Sequence, residues 1–337
     1  MKAIMLRETG SPDSLKLENV DMPKPGSKEV VVRLKTAALN RRDLLVIHGQ
    51  YPGIKLPAIP GSDGAGEIVE IGEKVQNVLI GDEVIINPGL NWGGNLNTKG
   101  ADFTVLGVPT NGTYAQYVRV PAENVYFKPS HLSWEEAAAL PLAGLTAYRA
   151  LITRGQVKRG ETVLIPGVGG GVATFLVQFA AALGAEVYVT SSNEEKIEKA
   201  KGLGAAGGVN YTSEDWVKEM DRLTGGIDLS VDSIGGEVFN NLLSLGKIGS
   251  RVVSFGATRG PVPHLVLPSM TVKEISVIGS TMGSPQDFVN MIKLVEEHKI
   301  HPVLDKTYSL EEAADALLRM EKGENFGKLV LSIPDDK

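Results

Sequence analysis

The chain has 337 residues, 42% of them hydrophobic and 22% charged, with a formal net charge of −6. That length is too great for one ordinary core and suits two domains, and the composition is that of a water-soluble globular protein. A negative balance with no block of Lys or Arg argues against nucleic acid as a partner, and no apolar run approaches the ~20 residues that cross a bilayer. The first residues carry no basic segment followed by an apolar core and cleavage site, so the expected location is the cytoplasm. Cysteine is absent, which excludes disulfides, thiolate nucleophiles, iron–sulfur clusters and zinc sites built on Cys.

In chain order, strand-like runs at 30–34 and 66–71, broken by Gly and Pro, predict an irregular β module at the start. Within it, 87–111 is rich in Gly and Asn around Trp92 and reads as the longest surface excursion. From Ser133 the texture changes to helices over 134–140, 145–153, 172–183, 194–203 and 215–223, alternating with strands near Val163, Val187, Val209, Leu229 and Val252. This alternation specifies an α/β domain with a doubly wound parallel sheet. After Phe255-Gly256 it stops. A strand over 275–278, helices over 287–297 and 310–320 and a last strand over 328–333 form a segment too small to stand comfortably alone, expected to return and complete the first module.

The most informative stretch is 162–192. The apolar strand Thr162-Val163-Leu164-Ile165-Pro166 runs straight into Gly167-Val168-Gly169-Gly170-Gly171-Val172-Ala173, then an Ala- and Leu-rich helix, a stop at Gly184 and a second strand at Glu186-Val187-Tyr188-Val189-Thr190. Glycines in such a turn let the backbone approach a pyrophosphate, and the free N–H groups of the following helix attract the anion. The position of the third glycine of the strong fingerprint is Val172, so the surviving spacing is Gly167, Gly170 and Ala173. A glycine cluster alone reads equally as a structural turn. Its setting of strand, turn, helix and strand selects the dinucleotide reading. At the end of the second strand the chain offers Ser191, Ser192 and Asn193, with Lys196 a turn further on, where an Asp or Glu would read a ribose 2′-hydroxyl. Glu194 and Glu195 open the next helix and need no ligand to explain them. The expected cofactor is NADP(H).

Five motifs extend the reading: Asn40-Arg41-Arg42-Asp43, the run from Pro60 to Gly66, Gly81-Asp82-Glu83-Val84, the run from Ala139 to Tyr148, and the glycine turn. In this order they resemble the medium-chain dehydrogenase/reductase superfamily over nearly the whole chain, and within it the zinc-free quinone-oxidoreductase branch. The resemblance implies a GroES-like β-rich catalytic domain over 1–125, a Rossmann domain holding NADP(H) over 126–262, and a return segment over 263–337 completing the catalytic domain. Zinc-dependent members hold their catalytic metal with two Cys and one His, where this chain has Asn40, Leu142 and Ser62. Their structural zinc uses four Cys in the loop equivalent to 87–111. No metal is therefore expected.

Without zinc, help at the reacting oxygen comes from neutral donors, which suffice more readily when the acceptor delocalises charge itself. That favours NADPH-dependent reduction of a quinone or α,β-unsaturated carbonyl. The resemblance places Asn40 beside the nicotinamide with its amide toward the substrate oxygen, the bland reading being an Asn that ends a strand. Asp43 either orients Asn40 or caps the helix starting there. Tyr51 is either a proton donor, as in related enoyl-thioester reductases, or simple packing. Thr146, Phe255 and Gly256 are implied at the nicotinamide side and Tyr211 at the adenosine phosphate; Lys328 is implied near the cofactor, while Tyr211 and Lys328 also read as surface residues. Residues 280–283 are candidates for the substrate side. Of the five histidines only His48 lies near a site motif, and His298 and His301 read as the end of a helix. The alternatives are an enoyl-thioester reductase and a protein that binds NADPH without turnover. A homodimer is expected, with 250–255 and 274–278 contributing.

Overall fold

The computed structural model describes residues 1–334. The chain forms two compact units, Met1–Ala143 together with the stretch from Ser284 onward, and Gly144–Gly283.

The strands of the first unit pair antiparallel except for one parallel pair near the end of the chain. β1 (Lys2–Leu6) pairs with β2 (Leu15–Asn19). β3 (Glu29–Ala38), α1 (Arg41–Ile47), β4 (Asp63–Ile71) and β5 (Glu83–Ile86) follow, then the short pair β6 (Gly89–Leu90) and β7 (Thr104–Val105), then β8 (Tyr117–Pro121), β9 (Val125–Phe127), α2 (Trp134–Ala139) and α3 (Pro141–Tyr148). β3 is the spine: β4 and β8 pair with it, and Val30, Val32 and Leu34, every second residue and so on one face, enter the core.

The second unit adds β10 (Thr162–Ile165), α4 (Gly171–Ala182), β11 (Glu186–Ser191), α5 (Glu194–Gly202), β12 (Gly207–Asn210), α6 (Trp216–Thr224), β13 (Ile227–Asp232), α7 (Val238–Leu245), β14 (Gly246–Ser254), α8 (Leu267–Val272) and β15 (Ser276–Gly279). Its six parallel strands lie in the order β12-β11-β10-β13-β14-β15. The order reverses between β10 and β13, and ligands of such sheets bind outside the carboxyl ends of the strands at that point. All four residues of β10 are buried, as a strand covered on both faces requires.

The chain then re-enters the first unit at Ser284, which caps α9 (Pro285–Glu297) by accepting from Asp287 N–H at 3.1 Å. β16 (Leu304–Ser309), α10 (Ala313–Glu321) and β17 (Lys328–Ser332) complete it, β17 pairing antiparallel with β3 so that Val330 faces Ala38.

The architecture is the expected α/β pair of domains, with different borders. Residues 126–143 belong to the first unit because β9 pairs with β5 and α2 packs on β3, β4 and β17. Residues 263–283 belong to the second, where β15 pairs with β14 and α8 packs against α7. β14 is an inner strand, so of the two stretches expected at a subunit contact only β15 offers a free edge. The excursion over 87–111 is partly folded: Trp92 is buried, donates to Asn95 O at 3.0 Å and meets the Phe103 ring edge-on at 5.3 Å. Among the described residues no helix is long and apolar enough to cross a membrane.

Candidate active site

In the first unit the functional side chains gather where β3 gives way to α1. Asn40 is the extended residue at the helix N-cap. Asp43 turns its carboxylate back, Oδ2 accepting from the Asn40 N–H at 2.8 Å and from the Tyr114 hydroxyl at 2.7 Å. Asp43 thus caps the helix and fixes the Asn40 backbone together, so its two sequence readings merge. Oδ1 has no hydrogen bond and lies 3.9 Å from Arg42 Nη1. Burial pushes the Asp43 carboxyl above the usual carboxylate range, against the pull of Arg42 and of its own hydrogen bonds. Burial, with Asp43 alongside, also pushes the Tyr114 phenol well above its ordinary value and keeps it a neutral donor.

The Asn40 side chain faces a second cluster. Its Nδ2 donates to Asp63 Oδ2 at 2.9 Å and its Oδ1 accepts from Lys328 Nζ at 2.7 Å. Lys328 also donates to Leu39 O at 2.7 Å and to Asp63 Oδ2 at 3.0 Å. These three bonds use every N–H of the ammonium, so the Lys328 expected near the cofactor is committed instead to Asn40 and Asp63. Asp63 Oδ1 accepts from the Leu142 N–H at 2.8 Å. The cluster fixes the amide orientation: reversed, Nδ2 would face an ammonium and Oδ1 a carboxylate.

Arg42 forms the adjoining wall. Its Nη1 donates to Ser62 Oγ at 2.8 Å and Leu106 O at 3.0 Å, its Nη2 to Val105 O at 3.2 Å and Val108 O at 3.0 Å. The guanidinium carbon stands 4.4 Å from the Tyr51 ring centroid, a cation–π contact that seats the tyrosine. His48 lies apart, with Nδ1 on Gly10 O and Nε2 on Glu321 Oε1, both at 2.8 Å. His298 ends α9 as expected, and His301 pairs with Glu136 at 2.8 Å.

In the second unit the glycine turn leaves β10 and meets α4, whose N-cap is Gly170 with no side chain capping it and open space where a Cβ would stand. Gly171 and Val172 supply the first turn, where backbone N–H groups have no partner within the helix. Gly167 has φ +70°, and a Cβ there would lie 2.6 Å from Ile234 Cδ1. Its N–H donates to Thr190 Oγ1 at 3.1 Å, and the Val168 N–H to Thr190 O at 2.8 Å, which locks the turn onto β11. Beside it lies a cavity of about 440 Å³ whose lining includes Pro166, Gly167, Thr190, Tyr211, Ile234 and Arg259. These features fit a nicotinamide dinucleotide.

Ser191 ends β11, buried, with Oγ accepting from Asn193 N–H at 3.2 Å, and Ser192 is exposed. Glu194 Oε1 accepts from Asn210 Nδ2 at 3.0 Å, and Lys196 stands in the first turn of α5, outside the cavity lining. Thr146 is buried on α3, and the Phe255 N–H, next to Gly256, donates to Asp232 O at 3.0 Å. Burial pushes the Asp232 carboxyl up, opposed by the N–H groups of Ile234 and Gly235 that it accepts.

Residues 26–130 match the family model of the alcohol dehydrogenase GroES-like domain and residues 171–297 that of zinc-binding dehydrogenases. The chain is 36% identical, over 95% of its length and 94% of the relative's, to the zinc-type alcohol dehydrogenase-like protein YogA of Leptosphaeria maculans. The chain belongs to the medium-chain dehydrogenase/reductase superfamily. Another member, the acryloyl-coenzyme A reductase of Sulfurisphaera tokodaii, is 30% identical over 98% of this chain and 99% of its own. Among solved members, an NAD-dependent alcohol dehydrogenase superposes with a TM-score of 0.95 at 38% identity, covering 99% of this chain and 100% of that one. The quinone oxidoreductase of Pseudomonas syringae pv. Tomato gives 0.84 at 29% identity, covering 98% and 99%. The chain is an oxidoreductase of this superfamily, whose fold takes a nicotinamide cofactor.

Zinc binding in this superfamily is a question of donors. Zinc takes thiolate, imidazole or carboxylate ligands. Of Asn40, Ser62, Asp63 and Leu142 only Asp63 is one, and its Oδ2 already accepts from Asn40 and an ammonium. Among the described residues no group of three or more His, Cys, Asp or Glu is placed to hold a metal. This donor set does not fit a catalytic zinc.

Sequence reasoning did not single out Arg42, Asp63, Tyr114 or Thr190 as working parts. Arg42 and Asp63 lay inside quoted motifs, whereas Tyr114 carried no local signal.

Proposed function

We propose that the protein is an NADP(H)-dependent reductase of quinones or α,β-unsaturated carbonyls that works without catalytic zinc. The observation that carries this reading is the Asn40–Asp63–Lys328 cluster, in which the residue at one of the metal-ligand positions, Asn40, is hydrogen-bonded to both members of a buried ion pair. When bound, the nicotinamide supplies the hydride. Gly167, Gly170, Gly171 and Val172 hold its pyrophosphate by backbone N–H groups, with Thr146, Phe255 and Gly256 on the nicotinamide side. Asn40 keeps one Nδ2 hydrogen beyond the one given to Asp63, and it donates that hydrogen to the acceptor oxygen as negative charge builds there. The ion pair holds the amide in the donating orientation, and Tyr51, seated by Arg42, delivers the proton that completes the reduction. NADP(H) is favoured because β11 ends in Ser191, followed by Ser192, with no carboxylate there, and Glu194 is engaged by Asn210.

A second reading, reduction of an enoyl thioester, is supported by the likeness to the acryloyl-coenzyme A reductase and uses the same residues. We also propose a homodimer in which a second copy covers the free edge of β15.

The deciding experiment follows NADPH oxidation by metal-stripped protein against quinones, enones and enoyl thioesters, with NADH in parallel. Turnover of a conjugated acceptor with NADPH is expected. Activity that vanishes on chelation and returns with zinc would overturn the zinc-free assignment, and binding without turnover across the panel would leave a cofactor-binding protein.

A further inference from the structure

The cavity beside the glycine turn has one arginine in its lining, Arg259, on the turn after β14. That turn is laced to the one after β13. The Thr258 N–H donates to Ser233 O at 3.1 Å, the Arg259 N–H to Ile234 O at 2.8 Å and the Gly236 N–H to Gly260 O at 3.1 Å. The close fit depends on two adjacent glycines: Gly235 and Gly236 have φ of +66° and +56°, and a Cβ on Gly236 would stand 3.1 Å from Arg259 Cβ. Asp232 clamps the lower turn by accepting the N–H groups of Ile234 and Gly235. Three successive residues, Thr258, Arg259 and Gly260, are thus each tied by a backbone hydrogen bond to the neighbouring turn.

Its side chain is exposed, and among the described residues no carboxylate lies within ion-pair distance of it, Glu237 of the same lining included. Across the cavity stand Thr190 and Tyr211, at the ends of the strands where the adenosine half of a dinucleotide is expected. An unpaired guanidinium on a fixed turn is a ready partner for a phosphate, which it grips through two N–H bonds. Lys196, the cation that the sequence suggested, is not in this lining.

We infer that Arg259 is the specificity-determining cation that reads the 2′-phosphate of NADP(H), with Tyr211 beside it. The inference rests on the NADP(H) reading above. The test measures dissociation constants of NADPH, NADH and 2′,5′-ADP by calorimetry for the full chain and for Arg259→Leu, Arg259→Lys and Lys196→Ala. Arg259→Leu is expected to weaken NADPH and 2′,5′-ADP about ten- to a hundredfold while leaving NADH within about threefold. Arg259→Lys should recover part of the loss, and Lys196→Ala should change little. Equal loss for NADPH and NADH, or none for either, overturns the assignment while the wild-type preference for NADPH stands. A wild-type protein that binds NADH as tightly as NADPH and ignores 2′,5′-ADP overturns the NADP(H) reading and this assignment with it.

Discussion

Lys328 and Asp63 are both nearly or fully buried, at 3% and 0% side-chain exposure, and each is the other's counter-charge. Removing one partner of such a pair leaves a buried charge alone, which costs far more than the intact pair contributes. Lys328→Met should therefore lower stability by about 3–5 kcal/mol, read as a shift of the urea midpoint, with Lys328→Arg losing much less. Asn40→Leu is expected to act on chemistry: if its spare Nδ2 hydrogen meets the acceptor oxygen, kcat falls about a hundredfold while the dissociation constant for NADPH holds. An unchanged kcat would remove Asn40 from the mechanism. The sequence singled out Asn40 and Lys328 separately but not their contact, because they lie 288 residues apart and only the folded sheet brings them together.

The strands of the second unit and its helices up to α6 were legible because they carry local signals: β10 is apolar but for Thr162, and α4 is bracketed by glycines; α7 and α8 were not read. β16 was not, since Leu304–Ser309 is mostly polar with one buried residue, Tyr308, and reads as loop. β15 was found but assigned to the wrong unit, because α8 before it contains a proline, buries nothing and breaks the helix–strand rhythm. The turn between β10 and α4 yields its own prediction. Gly167→Ala forces a left-handed φ on a residue whose Cβ crowds Ile234, so we expect a loss of about 1–2 kcal/mol and weaker cofactor binding, both measurable by thermal unfolding with and without NADPH. At the opposite end of the sheet Asp228 ties three strands, accepting from Thr162 N–H at 2.9 Å and Lys247 Nζ at 2.7 Å. Burial raises its carboxyl pKa, but Lys247, the Thr162 N–H and Arg251 outweigh burial and hold it below the usual value. A depressed acid stabilises the fold fully above its unfolded pKa and ceases to do so as pH falls through the folded one. Asp228→Asn should consequently lower the melting temperature at pH 7 and flatten its fall below about pH 4, where wild type and variant converge. Curves that stay parallel down to acid would show that the bridge contributes nothing.

At the scale of the whole molecule, β15 is one of the two edge strands of the parallel sheet, and Val277 on it and Val272 just before it stand 43% and 79% exposed. Uncovered apolar edges invite pairing, which is why a second copy is the proposed cover. Val277→Lys is expected to convert a dimer to a monomer in light scattering with the far-ultraviolet circular dichroism unchanged; a wild-type protein that is already monomeric removes the proposal. Length foretold two domains, yet their borders were blurred, because strand pairing rather than local sequence assigns 126–143 and 263–283 to their units.

The strand β17 lies against β3 in the finished sheet although the ribosome makes them almost a whole chain apart. A nascent polypeptide therefore has all six strands of its parallel sheet in hand while the antiparallel one still lacks the strand that carries Lys328. Domains fold as units during synthesis, commonly from the amino end. Here the strand that completes the earlier-made unit is among the last to be made, so Asn40 and Asp63 are without Lys328 until it emerges. In a translation product stalled after residue 283 the glycine turn and every strand of the parallel sheet are present, while the strand that carries Lys328 is not.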